Sequence, residues 1–195
     1  MPLKEIAFTV ATDISAVAKL TGSINTLLLG DGIQAENTDV LGIERAILES
    51  TQSSGQLTGK FTILGSGATA RSAIVAAANL GADEVCVVAR NQSAIQQCAE
   101  LANSLGITCS HKSLAEAQFS DSVVTINTTP AGVADTLNID TCTGLLLDVI
   151  YHPWPTVFAR HWMQAGGATC SGHLMLLHQA AEQVRLMTGL QPPIE

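Results

Sequence analysis

One stretch limits what this chain can become more than any other. It is Phe61 to Ala89, FTILGSGATARSAIVAAANLGADEVCVVA, followed by Arg90. A short apolar run, Phe61 to Leu64, breaks into the turn Gly65, Ser66, Gly67, Ala68, Thr69, Ala70. A helix-period segment of small apolar residues follows, closed by Gly81 ahead of a second β-rich run, Val85 to Ala89. Together these make one βαβ unit. Within it Gly65 permits the tight turn, Gly67 has no side chain to hold a pyrophosphate off the backbone, and Ala70, in place of a third glycine, lets helix and strand pack closely. The helix N-terminus then offers unpaired N–H groups and the positive end of its dipole to phosphates. A bare GxGxx[GA] match also fits an ordinary glycine-rich turn; the strand before it, the helix it opens and the strand after favour a nucleotide site.

The second strand ends at Arg90, where an NAD enzyme usually carries Asp or Glu for the ribose 2′-OH. A guanidinium there suits a 2′-phosphate, which it can grip with two parallel hydrogen bonds, so the cofactor expected is NADP.

With 195 residues the chain can bury a sizeable core in one large or two small domains. No apolar run approaches the roughly 20 residues needed to span a bilayer, and no secretory signal opens the sequence. A formal net charge of −8 argues against nucleic-acid or anionic-membrane partners, because the general field repels both. Five cysteines without CxxC spacing read as reduced, mostly buried thiols of a cytoplasmic protein. The five histidines form no HxxxH or HExxH pattern, no metal is expected, and no GxSxG elbow suggests serine-based acyl chemistry.

In chain order, Met1 to Thr12 offers neither a clean cap nor a full period. Asp13 can cap a short helix through Leu20 that Gly22 stops. Ser23 to Leu29 and Ile33 to Glu36 flank Gly30, Asp31 and Gly32 as a hairpin. A helix is expected from Val40 to Glu49, with Asp39 as its N-cap or first-turn acid, and Ser50 to Gly59 reads as a linker. After the nucleotide unit, helices at Asn91 to Leu105, Leu114 to Ala117 and Thr156 to Ala165 alternate with strands at Ile107 to Ser110, Ser122 to Ile126, Leu145 to Asp148 and Ala168 to Cys170. That alternation implies an α/β fold: a Rossmann-type, doubly wound, mostly parallel sheet, with ligands beyond the carboxyl ends of its strands. A final helix, Ser171 to Thr188, has Leu174, Leu177, Ala181 and Val184 at helical spacing and ends at Gly189.

The residues resemble the shikimate dehydrogenase family. The resemblance is carried by PLKE (Pro2 to Glu5), GSINTL (Gly22 to Leu27), ENTDVLG (Glu36 to Gly42), GSGATAR (Gly65 to Arg71), Ala89–Arg90, NTTPAG (Asn127 to Gly132), DVIYHPWPT (Asp148 to Thr156) and GHLMLLHQA (Gly172 to Ala180). Several of these are weak alone; in this order and spacing they are specific. The resemblance implies reduction of 3-dehydroshikimate to shikimate with NADPH, a step of aromatic amino-acid and chorismate biosynthesis. It also implies a partial α/β substrate domain (1–38), an NADP-binding domain (39–171) and a C-terminal helix returning to the substrate domain (172–195).

It further implies roles for single residues. Lys4 matches the family's catalytic lysine and Asp39 its aspartate partner. Read locally, Lys4 is a solvated surface lysine and Asp39 a helix cap. Asn25 and Gln179 match groups that hydrogen-bond substrate hydroxyls, with Thr38 and Tyr151 close to the same pocket. Gly65, Ser66, Gly67, Ala68, Thr69 and Arg90 would hold the phosphates, and Thr128, Val149, Gly172 and Met175 would lie along the nicotinamide. Two features depart from the family: Ala68 replaces the second of two adjacent glycines, and no second basic residue follows Arg90. The family's first strand and its paired-serine motif do not precede Met1, and relatives commonly carry one more helix beyond the proline pair. A natural truncation, a misassigned start or a fragment is therefore expected, acting as a monomer or homodimer. Two alternatives stand beside the enzyme: a catalytically silent NADP-binding module lacking the serines, and a quinate or shikimate dehydrogenase using NAD.

Overall fold

The computed structural model describes residues 3–194; Met1, Pro2, the first residue of the PLKE motif, and Glu195 lie outside them. The chain opens with a single helical turn, α1 (Leu3–Ile6), and a 3-10 turn, Ala7–Thr9. The expectation that Asp13 caps a helix is corrected. Asp13–Ile14 is a short strand, β1, and Ser15 caps α2 (Ala16–Thr21) by accepting from the Ala18 N–H at 3.2 Å. Asp and Ser are comparable caps; what decides is parallel pairing of Asp13 with Gln34 and Ile14 with Ala35, a partner that local pattern does not reveal. Gly22, at φ 58°, ends α2. Strands β2 (Thr26–Leu29) and β3 (Ile33–Glu36) form the expected antiparallel hairpin, its pairing beginning at Thr26 rather than Ser23. The small sheet has the order β1-β3-β2 over a modest core of Ala18, Ile24 and Ala35.

Helix α3 (Asp39–Thr51) follows and is longer than the sequence suggests at both ends. Thr38 occupies the cap position, so Asp39 is the first helical residue rather than the cap. The large sheet then builds from β4 (Lys60–Leu64), α4 (Ala68–Asn79), β5 (Glu84–Val88), α5 (Gln92–Ser104), β6 (Thr108–Lys112), β7 (Ser122–Asn127), β8 (Leu145–Asp148), α6 (Val157–Gln164) and β9 (Ala168–Ser171), and α7 (Gly172–Thr188) closes the chain. Leu114–Glu116 is a 3-10 turn. The strand order is β6-β5-β4-β7-β8-β9, with every neighbouring pair parallel. The direction of winding reverses between β4 and β7, which puts the crevice of a doubly wound sheet at the end of β4, where Gly65 stands.

Alternation along the strands divides the core. Phe61, Ile63, Val85, Val87, Val124 and Ile126 pack with residues of α3, α4 and α5 on one face. Leu64, Cys86, Val88 and Leu146 pack on the other against Phe119, Phe158 and Trp162, whose rings meet edge-on at 5.3–5.9 Å. All five cysteines are free thiols and four are buried.

The helix expected from the spacing of Leu174, Leu177, Ala181 and Val184 is present, but the stripe does not face the core along its whole length: Leu174 packs partly buried against the core, Leu177 and Val184 are exposed, and the buried positions are Gly172, Met175 and His178. The reason is close backbone approach: a Cβ on Gly42 of α3 would lie 2.8 Å from the Met175 carbonyl oxygen and 3.0 Å from Gln179 Cβ. α7 packs on the core through Met175 and Leu174, and polar bonds add to the hold, His178 Nε2 with Glu49 Oε2 at 2.8 Å and Gln183 Nε2 to Thr26 Oγ1 at 3.0 Å.

Candidate active site

At the switch point Gly65 has φ 105°, and a Cβ there would lie 2.5 Å from Thr128 Oγ1. Only glycine fits both constraints. Thr128 closes the adjoining loop onto the turn, its N–H and hydroxyl both donating to the Leu64 carbonyl at 2.9 and 2.7 Å. Above Gly67, by contrast, a Cβ would meet nothing within 4 Å. Helices α2, α5, α6 and α7 are capped by the side chains of Ser15, Asn91, Thr156 and Ser171, whereas α4 starts at Gly67 with no side-chain cap. Its first N–H groups face the open space that a phosphate would fill. The cleft here has a volume of about 820 Å³ and is lined by Gly65, Ser66, Gly67, Ala68, Thr69, Arg90 and Thr128, together with Lys4. Arg90 is exposed at its edge, beyond β5. The residues present therefore fit a dinucleotide, with a cation at the position of a ribose phosphate.

Lys4 is the link to the second cluster. Its Nζ donates to Asp39 Oδ2, in a pair that is mostly buried on the aspartate side. The other carboxylate oxygen, Oδ1, accepts from Asn25 Nδ2 at 2.8 Å. Asn25 also reaches Thr38 Oγ1 at 3.0 Å and Gln179 Oε1 at 3.4 Å, while its own Oδ1 accepts from the Thr38 N–H at 3.0 Å. Four separate segments, α1, the start of the hairpin, the start of α3 and the middle of α7, thus meet through side chains. Asp39 is 4 % exposed; a buried carboxylate is stable when its oxygens are paired, as both are here.

Other expected site residues lie apart from this meeting point. Val149, Gly172 and Met175 are outside the lining of the cleft. Val149 and Gly172 are in contact, since a Cβ on Gly172 would run into the Val149 carbonyl oxygen, and Met175 is buried beneath α3. Tyr151 is half exposed and its ring meets that of His173 edge-on at 5.8 Å. Asp148, at the carboxyl end of β8, is fully buried. It accepts from Thr156 Oγ1 at 2.7 Å, Asn127 Nδ2 at 3.1 Å and the Ile150 N–H at 3.2 Å. Burial pushes its carboxyl above the usual range, and those bonds pull it back only in part.

The motifs contain Asn37, Gly42 and Arg71, to which the sequence assigns no task. Asn37 is buried and partnered on every side, Gly42 sets the α3–α7 approach that carries Gln179 to Asn25, and Arg71 donates to the carbonyls of Thr21 and Gly22 at 2.6 and 3.0 Å. A glycine one turn into a predicted helix is the signal that a close helix crossing was in view. Asn91, which the sequence marks only as the start of α5, caps that helix and also lines the cleft.

Residues 172–195 match the profile of the shikimate 5'-dehydrogenase C-terminal domain. The shikimate dehydrogenase (NADP(+)) of Methanothermobacter thermautotrophicus is 31% identical over 207 residues, a match covering 100% of this chain and 72% of that protein. Among solved structures, the shikimate dehydrogenase of Mycobacterium tuberculosis is similar with a TM-score of 0.87 and 38% identity, over 99% of this chain and 74% of that one. The shikimate 5-dehydrogenase of Thermus thermophilus, in complex with NADP(H) and shikimate, gives a TM-score of 0.82 at 27% identity, over 99% of this chain and 72% of that one.

Proposed function

This chain belongs to the shikimate dehydrogenase family, and on that premise we propose that it interconverts 3-dehydroshikimate and shikimate with NADP. It would do so as a cytoplasmic monomer or homodimer without nucleic-acid or membrane partners. Among the described residues no helix is long and apolar enough to cross a membrane. The observation that carries the reading is the position of Lys4, whose ammonium is paired to a buried carboxylate and also lines the cleft of the glycine turn.

The nicotinamide supplies the hydride when bound. Reduction of a carbonyl also needs a proton at the oxygen as negative charge develops there, and an ammonium beside the cofactor cradle is placed to give it. Lys4 has three N–H donors and the bond to Asp39 takes one, leaving donors for a substrate oxygen. In reduction the Lys4 ammonium releases a proton to the alkoxide and is recharged from solvent; in oxidation the amine form takes the proton back. Asp39 orients that ammonium and balances its charge. Asn25 and Gln179, with Thr38 beside them, would present amide and hydroxyl groups to the substrate hydroxyls. The turn from Gly65 to Thr69 would bind the pyrophosphate, and Arg90 the 2′-phosphate. Val149, Gly172 and Met175 would border the nicotinamide, with Tyr151 at the substrate end. In this assignment residues 1–38 and 172–195 serve the substrate and 39–171 the cofactor.

The test is oxidation of shikimate by the purified chain with NADP+, followed as NADPH absorbance, beside calorimetric titration of NADP+ alone. NADPH formation that requires shikimate supports the enzyme. Binding of NADP+ without turnover or shikimate binding would leave a cofactor-binding module in its place.

A further inference from the structure

Helix α4 is built from Ala, Ile and Val on its buried side, except at Ser72, which is wholly buried in the second turn. Alanine is the better helix former at such a position, so the hydroxyl needs another reason to be there. It accepts from Asn37 Nδ2 at 3.1 Å. The same Nδ2 reaches Thr21 Oγ1 at 2.9 Å and the Ser23 carbonyl at 3.0 Å, while Asn37 Oδ1 accepts from the Asp39 N–H at 2.9 Å. One buried amide therefore touches the helix that opens at the phosphate cradle, the end of α2, the lead-in to β2, and the backbone of the carboxylate that holds Lys4.

We propose that Asn37 is a positioning residue that transmits occupancy of the phosphate cradle, through Ser72 of α4, to the backbone of Asp39. The inference rests on the reading of the cleft as a cofactor and substrate site. Hydride and proton go to adjacent atoms of one carbonyl, so the cradle and the Lys4–Asp39 pair have to keep a fixed separation, to within about 0.5 Å. The cradle belongs to α4 and the pair to α1 and α3. Asn37 spans the two with a side chain that is 6 % exposed and engaged at both its amide nitrogen and its oxygen. A buried amide with all its groups engaged has one arrangement that satisfies them, because any rotation strands a donor or acceptor. Arg71, next to Ser72, runs in parallel: it donates to the carbonyls of Thr21 and Gly22 and so fastens α4 to the end of α2, while the Ser72–Asn37 path leads on to the backbone of the carboxylate.

The variant that isolates the path is Ser72→Ala. It improves helix propensity, and it orphans no buried donor, since Asn37 Nδ2 keeps Thr21 and Ser23 as acceptors. The measurement is NMR of the amide-labelled full chain titrated with NADP+, alongside calorimetry. In the unmodified chain the Asp39 amide should shift as NADP+ fills the cradle. In Ser72→Ala the calorimetric Kd for NADP+ should stay within about twofold while the Asp39 shift falls about fivefold or more, and in turnover kcat should drop about tenfold at unchanged KM for NADP+. An Asp39 amide that responds equally in both proteins overturns the path through Ser72. NADP+ binding to the unmodified chain with no response at Asp39 overturns the coupling altogether. Failure of NADP+ to bind at all instead sinks the cofactor reading, and the coupling with it.

Discussion

The glycine turn and Lys4 line one cleft, yet the turn is backbone from a single stretch, while Lys4 belongs with Asp39 to a cluster of side chains gathered from distant parts of the chain. In the turn the proposed phosphate binding rests on what is absent: no Cβ at Gly65 or Gly67 and no side-chain cap on α4. In the pair the proposed proton transfer rests on specific atoms, each held by a partner from another segment. A backbone site is insensitive to most substitutions and intolerant of a few that add bulk. A side-chain site should lose its function whenever one member is cut back, while the fold survives.

The largest effect should follow from breaking the side-chain half. Lys4→Ala is expected to lower kcat by about 10²–10⁴-fold, the usual worth of a positioned acid–base group, with NADP+ affinity unchanged. Steady-state kinetics beside calorimetry would check this. A variant that instead loses cofactor binding would move Lys4 into the cradle and erase the division between the halves.

Next comes the backbone half. Gly65→Val places a β-branched residue at φ 105°, where its Cβ would also meet Thr128 Oγ1 at 2.5 Å. Backbone strain of this kind costs about 1–3 kcal/mol, and NADP+ affinity is expected to fall about a hundredfold as the turn opens. The Lys4–Asp39 pair should persist, visible as an unchanged Asp39 amide in the apo protein. Arg90→Ala should act more gently, removing a charge-assisted contact worth about 1.5–3 kcal/mol. It should cut the preference for NADP+ over NAD+ about tenfold or more with kcat little altered, as paired kinetics with the two cofactors would show.

The same contrast explains what can be read from residues alone. The βαβ unit, the parallel sheet, β8 and the last helix are legible because each follows from local period, glycine placement and capping. Among the strands, those buried on both faces give the clearest signal. Without the family motifs, Lys4 and Asp39 are not legible at all: one reads as surface and the other as a cap, because nothing local says that α1 folds back against α3. Asp13 misleads for the same reason, its strand being stabilised by Gln34. Gly42 and Asn37 carry no periodic signal, since their work is to set a helix separation and to join segments. On α7 the apolar pattern gives the helix but not its buried face, since Leu177 and Val184 are exposed while Met175 and Leu174 meet the core.

The smallest effect probes what lies beneath the backbone half. Asp148 ends β8 and fastens the loops at Asn127, Ile150 and Thr156, yet burial, the stronger influence, raises its pKa above the ordinary 3.8. The native state thus holds this proton more tightly than the unfolded chain. Its contribution to stability is fully present below about pH 4 and is lost as pH rises through the higher folded value. Asp148→Asn keeps an acceptor for Ile150 and Asn127 and offers an N–H to Thr156 Oγ1, but does not titrate. Denaturant melts from about pH 4 upward to pH 7 should therefore show the unmodified chain losing stability relative to the variant, with NADP+ affinity equal in the two. A variant that is weakest at neutral pH would mean that the three hydrogen bonds outweigh burial. In that event the loops over the cradle depend on a placed charge, and the half of the site that looks like pure backbone rests on side-chain electrostatics after all.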